Sequence, residues 1–258
     1  MSSQYPILLT TMAGLALLAN TGCSTLNIDK NQVNDTKKVA IVGFCVRQEI
    51  PPTLTGALLG KESGNAGFSA EMCSEKPHAS TMYRDFAVSF RPEWKFTVLD
   101  QETVAKNPAY MALHKKYTDG WQSRPPSHGG QYECYKAEGI LDPFPIRNLS
   151  VEERAALMQA LGVDRLAVAE VETHVENTSM LKGLVGAADF ATSATVNFQM
   201  YNGTDKKAIW SDTNAKSDGS AGKVSSVMGV HSQEALDQQT VQASKTAYQA
   251  LSARAKKE

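Results

Sequence analysis

The sequence predicts one α/β domain, built as a mixed sheet of about four or five strands with helices packed against it. A continuous apolar, β-branched run at 39–46 is typical of a central strand that is buried on both faces. A helix signal at 150–162 leads directly into a second apolar strand at 164–171. An alternating strand at 194–201 precedes a polar turn and a returning strand, and an amphipathic helix ends the chain.

The N-terminus indicates export. Residues 1–23 contain no Asp, Glu, Lys or Arg, and the apolar stretch at 7–19 is too short for a transmembrane helix but fits a signal peptide. Small residues lead into Cys23, which resembles the lipobox of bacterial lipoproteins, where the cysteine is lipidated after cleavage. We predict a lipid on Cys23. The alternative is an ordinary secretory signal, since Asn20 stands where an aliphatic residue is usual and the first residues carry no basic side chain.

The residues after Cys23 suggest where the domain resides. Ser24 replaces the Asp that often retains lipoproteins in the inner membrane, so we expect an outer-membrane anchor and a domain in the periplasm. Polar residues at 24–36 predict a flexible tether. The expected organisation is a signal peptide at 1–22, the lipidated cysteine and tether at 23–36, and the α/β domain at 37–258.

The first half of the domain alternates between clear elements and irregular sequence. Residues near 47–79 hold many Gly, Ser and Pro and predict a long loop. Ser80 then begins a helix with apolar residues at spacing four, which Pro92 ends. An alternating strand follows at 94–98, and Asp100 caps a short helix. Pro108 begins a further helix that runs to about residue 117.

The second half carries stronger signals. Residues 118–149 are again irregular and predict another long loop. Ser150 and Glu153 form a capping box, and Gly162 stops the helix that they begin. The last helix begins at Ser232 and ends in lysines that suit the negative pole of the helix dipole.

Composition excludes some partners and leaves the cysteine pairing open. The net charge is −1, so no basic surplus favours nucleic acid. Cys45, Cys73 and Cys134 allow three single pairings, which the sequence alone does not decide. Polar surroundings favour a Cys73–Cys134 disulfide, and Cys45 in an apolar strand is interpreted as a buried thiol. No two cysteines have the close spacing of a zinc site, so we predict no metal and no cofactor.

The element order and three stretches resemble the periplasmic domain of the curli-secretion-channel lipoproteins, a fold shared with lipoprotein activators of penicillin-binding proteins. The stretches are an opening strand at 38–44, a Leu-Gly-Val-Asp sequence leading into a strand at 161–171, and two strands around a polar turn at 196–210. The resemblance implies this fold and a role in the envelope. The channel family inserts two membrane β-hairpins per subunit, and residues 173–194 do not supply such strands.

Catalytic motifs are absent from the sequence, which contains no nucleophile elbow, no His-Glu-x-x-His and no phosphate-binding loop, so we predict no enzyme. His174 with Glu172 is conceivable as a metal site, but such spacing on a strand is more typical of solvated side chains. Glu170 is interpreted as a strand-edge carboxylate that faces water, although burial in a cleft would raise its pKa.

Aromatic residues in irregular sequence supply the candidate binding site. Trp121, Tyr132 and Tyr135 form either a partner-binding patch or the packing of a long loop on the core, and both interpretations stay open. We therefore expect a non-enzymatic envelope lipoprotein that binds another envelope protein and supports assembly or secretion of a surface structure. The alternatives are a subunit of an oligomeric secretion channel, for which a homo-oligomer is expected, and an activator of a cell-wall synthase.

Overall fold

The computed structural model describes residues 25–49, 73–118, 132–177, 187–217, 223–227 and 233–257. The strands are β1 (Leu26–Ile28), β2 (Lys38–Glu49), β3 (Ser74–Glu75), β4 (Thr97–Val98), β5 (Tyr132–Lys136), β6 (Arg165–Asn177), β7 (Ala187–Tyr201), β8 (Ala208–Lys216) and β9 (Lys223–Val227). The helices are α1 (Lys30–Asn34), α2 (Pro77–Ser89), α3 (Gln101–Ala105), α4 (Pro108–Thr118), α5 (Pro143–Arg147), α6 (Val151–Leu161) and α7 (Gln233–Lys257). In these ranges no helix has the length and apolar character that crossing a membrane requires.

These segments build one mixed sheet, in agreement with the predicted α/β class. Its strand order is β1-β8-β7-β6-β2-β5-β3, with β4 paired to the start of β2 and β9 to the start of β7. The central pair β2 and β6 is parallel, whereas β6, β7 and β8 pair antiparallel. The predicted count of four or five strands was wrong, because the ranges described form nine. Five of these strands have only two to five residues, too few to show a clear period-two pattern.

One face of the sheet carries the aromatic core under α2 and α7. Phe86 of α2 lies 5.9 Å from Phe44 of β2, 5.8 Å from Phe198 of β7 and 4.9 Å from Tyr248 of α7, measured between ring centroids. All four side chains are at most 1% exposed. The predicted spacing-four stripe of α2 therefore faces the sheet, as an amphipathic helix should.

The opposite face is covered by α5 and α6. Gly43 lets α5 approach the sheet closely, because a Cβ at this position would lie 2.8 Å from the Cα of Pro143. The α6 helix begins with the predicted capping box of Ser150 and Glu153, and it ends at Gly162 with a positive φ of 62°. These contacts place α5 directly over the middle of β2.

The predicted tether is largely part of the folded domain, which corrects the sequence analysis. Leu26 of β1 pairs with Asp212 of β8, and Asp29 caps α1, whose Val33 is 1% exposed. The pairing joins residues that are far apart in the sequence, so no local pattern announces it. The first described strand thus begins three residues after Cys23.

Several elements are longer or more numerous than predicted. The pairing of β6 with β7 reaches Asn177 opposite Phe190, although a strand only to residue 171 was expected. The β5 strand and α5 lie in the predicted loop at 118–149, and β9 lies in a Gly- and Ser-rich segment. These parts lack apolar periodicity and are held by their partners in the sheet. The expected strand at 94–98 is reduced to Thr97–Val98.

Asp212 gives the first prediction. Its side chain is fully buried 3.3 Å from Arg254 of α7, and burial raises the pKa of its carboxyl to about 6. The folded protein therefore holds this proton more tightly than the unfolded chain does. The contribution to stability is favourable below about pH 4 and declines as the pH rises to about 6.

We expect Asp212→Asn to flatten this decline, so that the variant gains stability relative to the wild type between pH 4 and pH 7. Urea unfolding of both proteins at the two pH values measures the difference. Because other carboxyls titrate in both proteins, their contributions largely cancel in this comparison. An equal pH dependence in the two proteins would contradict the prediction.

Candidate functional site

Polar side chains line one face of the sheet where the parallel strands β2 and β6 end. Arg47 of β2 pairs with Cys134 of β5 and Glu172 of β6, and directly paired residues share a face. The carboxyl ends of parallel strands are a common position for binding sites in α/β proteins. We call this set of side chains the polar cluster. Its members are Cys45, Arg47, Glu49, Tyr132, Cys134, Lys136, Glu170, Glu172 and His174.

Glu170 is the ionic centre of the polar cluster. One carboxylate oxygen accepts a hydrogen bond from Nε of Arg47, and the other lies 3.1 Å from a guanidinium nitrogen of Arg147. Burial would raise the pKa of Glu170, but the two guanidinium groups outweigh it and hold the pKa below its usual range. The expected water-facing carboxylate was therefore wrong. Local sequence does not show that α5 brings Arg147 over this strand.

Sulfur atoms form the second part of the polar cluster. The structure joins Cys73 to Cys134 by a disulfide, the pair chosen in the sequence analysis, and leaves Cys45 as a buried thiol. A cross-link across 61 residues contributes about 4 kcal/mol in the chain-entropy model. The three sulfurs and one carboxylate oxygen of Asp142 all lie within 4.8 Å of one another.

Burial and nearby charges affect the protonation of Cys45 and Asp142. Burial raises the pKa of the Cys45 thiol well above its usual value, and the nearby Asp142 and Glu170 add to this effect. Burial also raises the pKa of Asp142, although the Phe144 amide and Arg47 oppose the change.

The outer part of the polar cluster is built around His174. Its Nδ1 lies 3.4 Å from the hydroxyl of Tyr132 and 3.9 Å from a carboxylate oxygen of Glu49. Glu49 also accepts a hydrogen bond from the Val175 amide at 2.7 Å. This bond satisfies a backbone amide of β6 that lies beyond the last residue paired with β2. Burial, together with Glu49 and Glu172, raises the pKa of Tyr132 to about 12. His174 and Glu172 both lie on this face of the sheet. Their side chains were expected to be solvated, but Glu172 is only 7% exposed.

The two described members of the candidate aromatic patch lie on opposite faces of the sheet. Tyr132 and Tyr135 are three residues apart on β5 and point to opposite faces. Tyr135 is 6% exposed and packs edge-on against His78 at 4.8 Å, so it contributes to packing. Trp121 lies outside the described residues.

A groove on another surface was missed by the sequence analysis. It encloses about 740 Å³ between α2, α3 and the turn after β5. Arg84 lies on α2 and Arg91 in the turn that follows this helix, whereas α3 and the turn after β5 contribute Glu102 and Glu138. Val88 also lines it and is 44% exposed. Val88, an apolar residue on the outward face of the amphipathic helix α2, is the feature of the sequence that could have indicated this groove.

Comparison with known proteins adds little to this picture. No family model matches the sequence, and no curated protein matches it either. Among solved structures, the chain is similar to a dodecamer of a PelC variant from Paraburkholderia phytofirmans, with 9% sequence identity and a TM-score of 0.30. The alignment covers 90% of this chain and 98% of that chain. A similarity this low carries no argument about the role of the present protein.

Proposed function

We propose that this chain is a lipid-anchored envelope protein that binds a segment of another envelope protein and thereby supports assembly or secretion of a surface structure. The observation that carries the proposal is the groove between α2 and α3. It is open to solvent at Val88 and is lined by apolar residues and by charged side chains of both signs.

The dimensions of the groove suit a polypeptide. Its lining on α2 runs from Ser80 to Val88, which corresponds to about 12 Å along a helix, or about two turns of a partner helix. Helix-in-groove recognition uses apolar anchors between charged flanks. The partner segment should therefore place acidic residues beside Arg84 and Arg91 and a basic residue beside Glu138.

The position of β1 fits a partner that is also at the membrane. Three residues span at most about 11 Å of extended chain, so a lipid on Cys23 holds the domain close to the bilayer. This short connection disfavours the alternative of an activator that reaches across the periplasm. It favours an anchored neighbour as the binding partner.

The test places a photo-crosslinking amino acid at position 88 of the lipidated full-length protein in its own host. The matched control carries the same amino acid at Met111, which is 56% exposed on α4 and does not line the groove. We expect a discrete adduct with a second envelope protein from position 88 and none from position 111. Arg84→Glu with Arg91→Glu should lower its yield about tenfold, equivalent to 1.4 kcal/mol.

Two outcomes would contradict the proposal. Adducts that form equally from both positions, or that survive the double charge reversal, would show that the groove does not select the partner. An adduct between two copies of this chain would replace the proposed partner with self-association and favour the channel alternative. Urea unfolding of the charge-reversal variant checks that the fold is retained.

A further inference from the structure

We propose that Cys45, Cys73, Cys134 and Asp142 form a binding site for a thiophilic divalent cation such as Zn²⁺, which is occupied when the Cys73–Cys134 disulfide is reduced. The inference is independent of the groove. It assigns the inner part of the polar cluster to metal binding.

The fold brings these four residues together from four separate segments. Cys45 belongs to β2 and Cys134 to the neighbouring β5, where the register places Cys134 opposite Arg47, two residues from Cys45. Cys73 directly precedes β3, which pairs with β5, and Asp142 directly precedes α5. One ligand atom from each lies within 4.8 Å of all the others.

A structural disulfide between Cys73 and Cys134 does not explain why a third cysteine, Cys45, lies beside it. Cys45 is fully buried, but it lies on the polar face of β2, opposite Glu170, whereas its neighbour Phe44 faces the aromatic core. A cysteine that serves only as a small apolar side chain would suit the core side better. Three sulfurs and one carboxylate at a single point match the ligand set and number of a structural zinc site.

Asp142 is held in an orientation that suits a ligand. Its Oδ1 accepts a hydrogen bond from the Phe144 amide at 2.8 Å, which caps α5, and its Oδ2 lies 3.4 Å from Sγ of Cys73. Outer hydrogen bonds of this kind fix metal-binding carboxylates. The nearest guanidinium group is Arg47, 4.0 Å from Oδ2, and its charge is balanced by Glu170.

The geometry requires only small movements. Zn–S bonds of about 2.3 Å place tetrahedral ligands about 3.8 Å apart, so the longest present separation shortens by about 1 Å. Breaking the S–S bond lets the other two sulfurs separate to the same distance. Cys73 can shift because β3, the strand that follows it, contains only two residues.

The chemical steps balance. A dithiol reductant transfers two electrons and two protons to the disulfide, which yields two cysteine thiols, and the dithiol becomes a disulfide. Zn²⁺ then binds three thiolates and the Asp142 carboxylate, and the three thiol protons pass to solvent. The disulfide and the metal are thus alternative occupants of one site. The wide spacing of the cysteines in the chain explains why no zinc motif is visible in the sequence.

The test uses the full-length chain with Cys23→Ala, which removes the remaining cysteine. After dithiol reduction and desalting without oxygen, Co²⁺ is added and then displaced by Zn²⁺. We expect one equivalent of Co²⁺ with the visible bands of tetrahedral coordination and a thiolate charge-transfer band. The oxidised protein should bind none.

Two further variants in the same background distinguish the site from adventitious binding. Cys45→Ser leaves the disulfide intact, so its oxidised form reports folding, and its reduced form should bind Zn²⁺ at least about tenfold more weakly. Asp142→Asn should weaken binding to a similar extent. Unchanged affinity in reduced Cys45→Ser would overturn the proposal.

Absence of tetrahedral Co²⁺ binding by the reduced parent protein would also overturn it. If reduction unfolds the protein, as near-ultraviolet circular dichroism would show, one equivalent of Zn²⁺ should restore the folded signal. Failure to restore it would count against the site as well.

Discussion

Replacing Glu170 with Gln is expected to lower the free energy of unfolding by about 3 kcal/mol. The substitution keeps the shape of the side chain but leaves Arg47 and Arg147 without their shared carboxylate in a mostly buried setting. Removing one partner of a buried ion pair costs more than the pair itself contributes, because the remaining charge is desolvated and uncompensated. Urea unfolding at pH 7 measures the loss.

Glu102→Gln is the matched control for this measurement. Its carboxylate pairs with Lys106 on the exposed surface of α3, so its loss should cost less than about 1 kcal/mol.

The pH dependence of stability provides a second check on Glu170→Gln. The pKa of Glu170 lies below its ordinary value, so its stabilisation is complete above about pH 4.5 and declines in stronger acid, where the variant should approach the wild type. A loss below 1 kcal/mol at pH 7 would show that water solvates this cluster.

Phe86→Ala should lower the free energy of unfolding by about 3–5 kcal/mol, the range for removing a buried aromatic ring. The ring of Phe86 contacts aromatic residues of β2, β7 and α7, so its loss opens a cavity between α2, α7 and the sheet. The surrounding rings belong to three different elements and cannot close this space together. Denaturant unfolding measures the effect through the midpoint, with an unchanged m-value.

Val88→Ala tests the same helix on its exposed side. Val88 is 44% exposed, so its truncation should change stability by no more than about 0.5 kcal/mol. The contrast between two positions of α2 separates core packing from helix propensity. Similar losses at both positions would mean that α2 does not pack on the sheet as described.

The fold could be predicted from sequence where one segment carries its own signal. The apolar run of β2 and the capping box of α6 are local patterns, and both elements form as expected. In contrast, β1, β5 and β9 contain at most five residues each and depend on partners far along the chain. These strands are stabilised by hydrogen bonds to distant parts of the chain, so no short stretch of sequence predicts them.

The candidate site was less predictable than the fold. The polar surroundings of Cys73 and Cys134 predicted their disulfide, whereas the expectation that Glu170 faces water was wrong. The difference lies in α5, a five-residue helix within a predicted loop, which brings Arg147 and Asp142 over β6 and β2. A charged residue within an apolar strand indicates a buried partner, but only the packing of α5 identifies that partner.

The pairing of β1 with β8 also protects the sheet. An uncovered strand edge presents free amide and carbonyl groups that can pair with another chain, and such edges promote aggregation. β1 occupies part of the outer edge of β8, from Trp210 to Asp212. The β1 strand therefore protects this edge of the sheet, and any assembly built through the edge would first have to displace it.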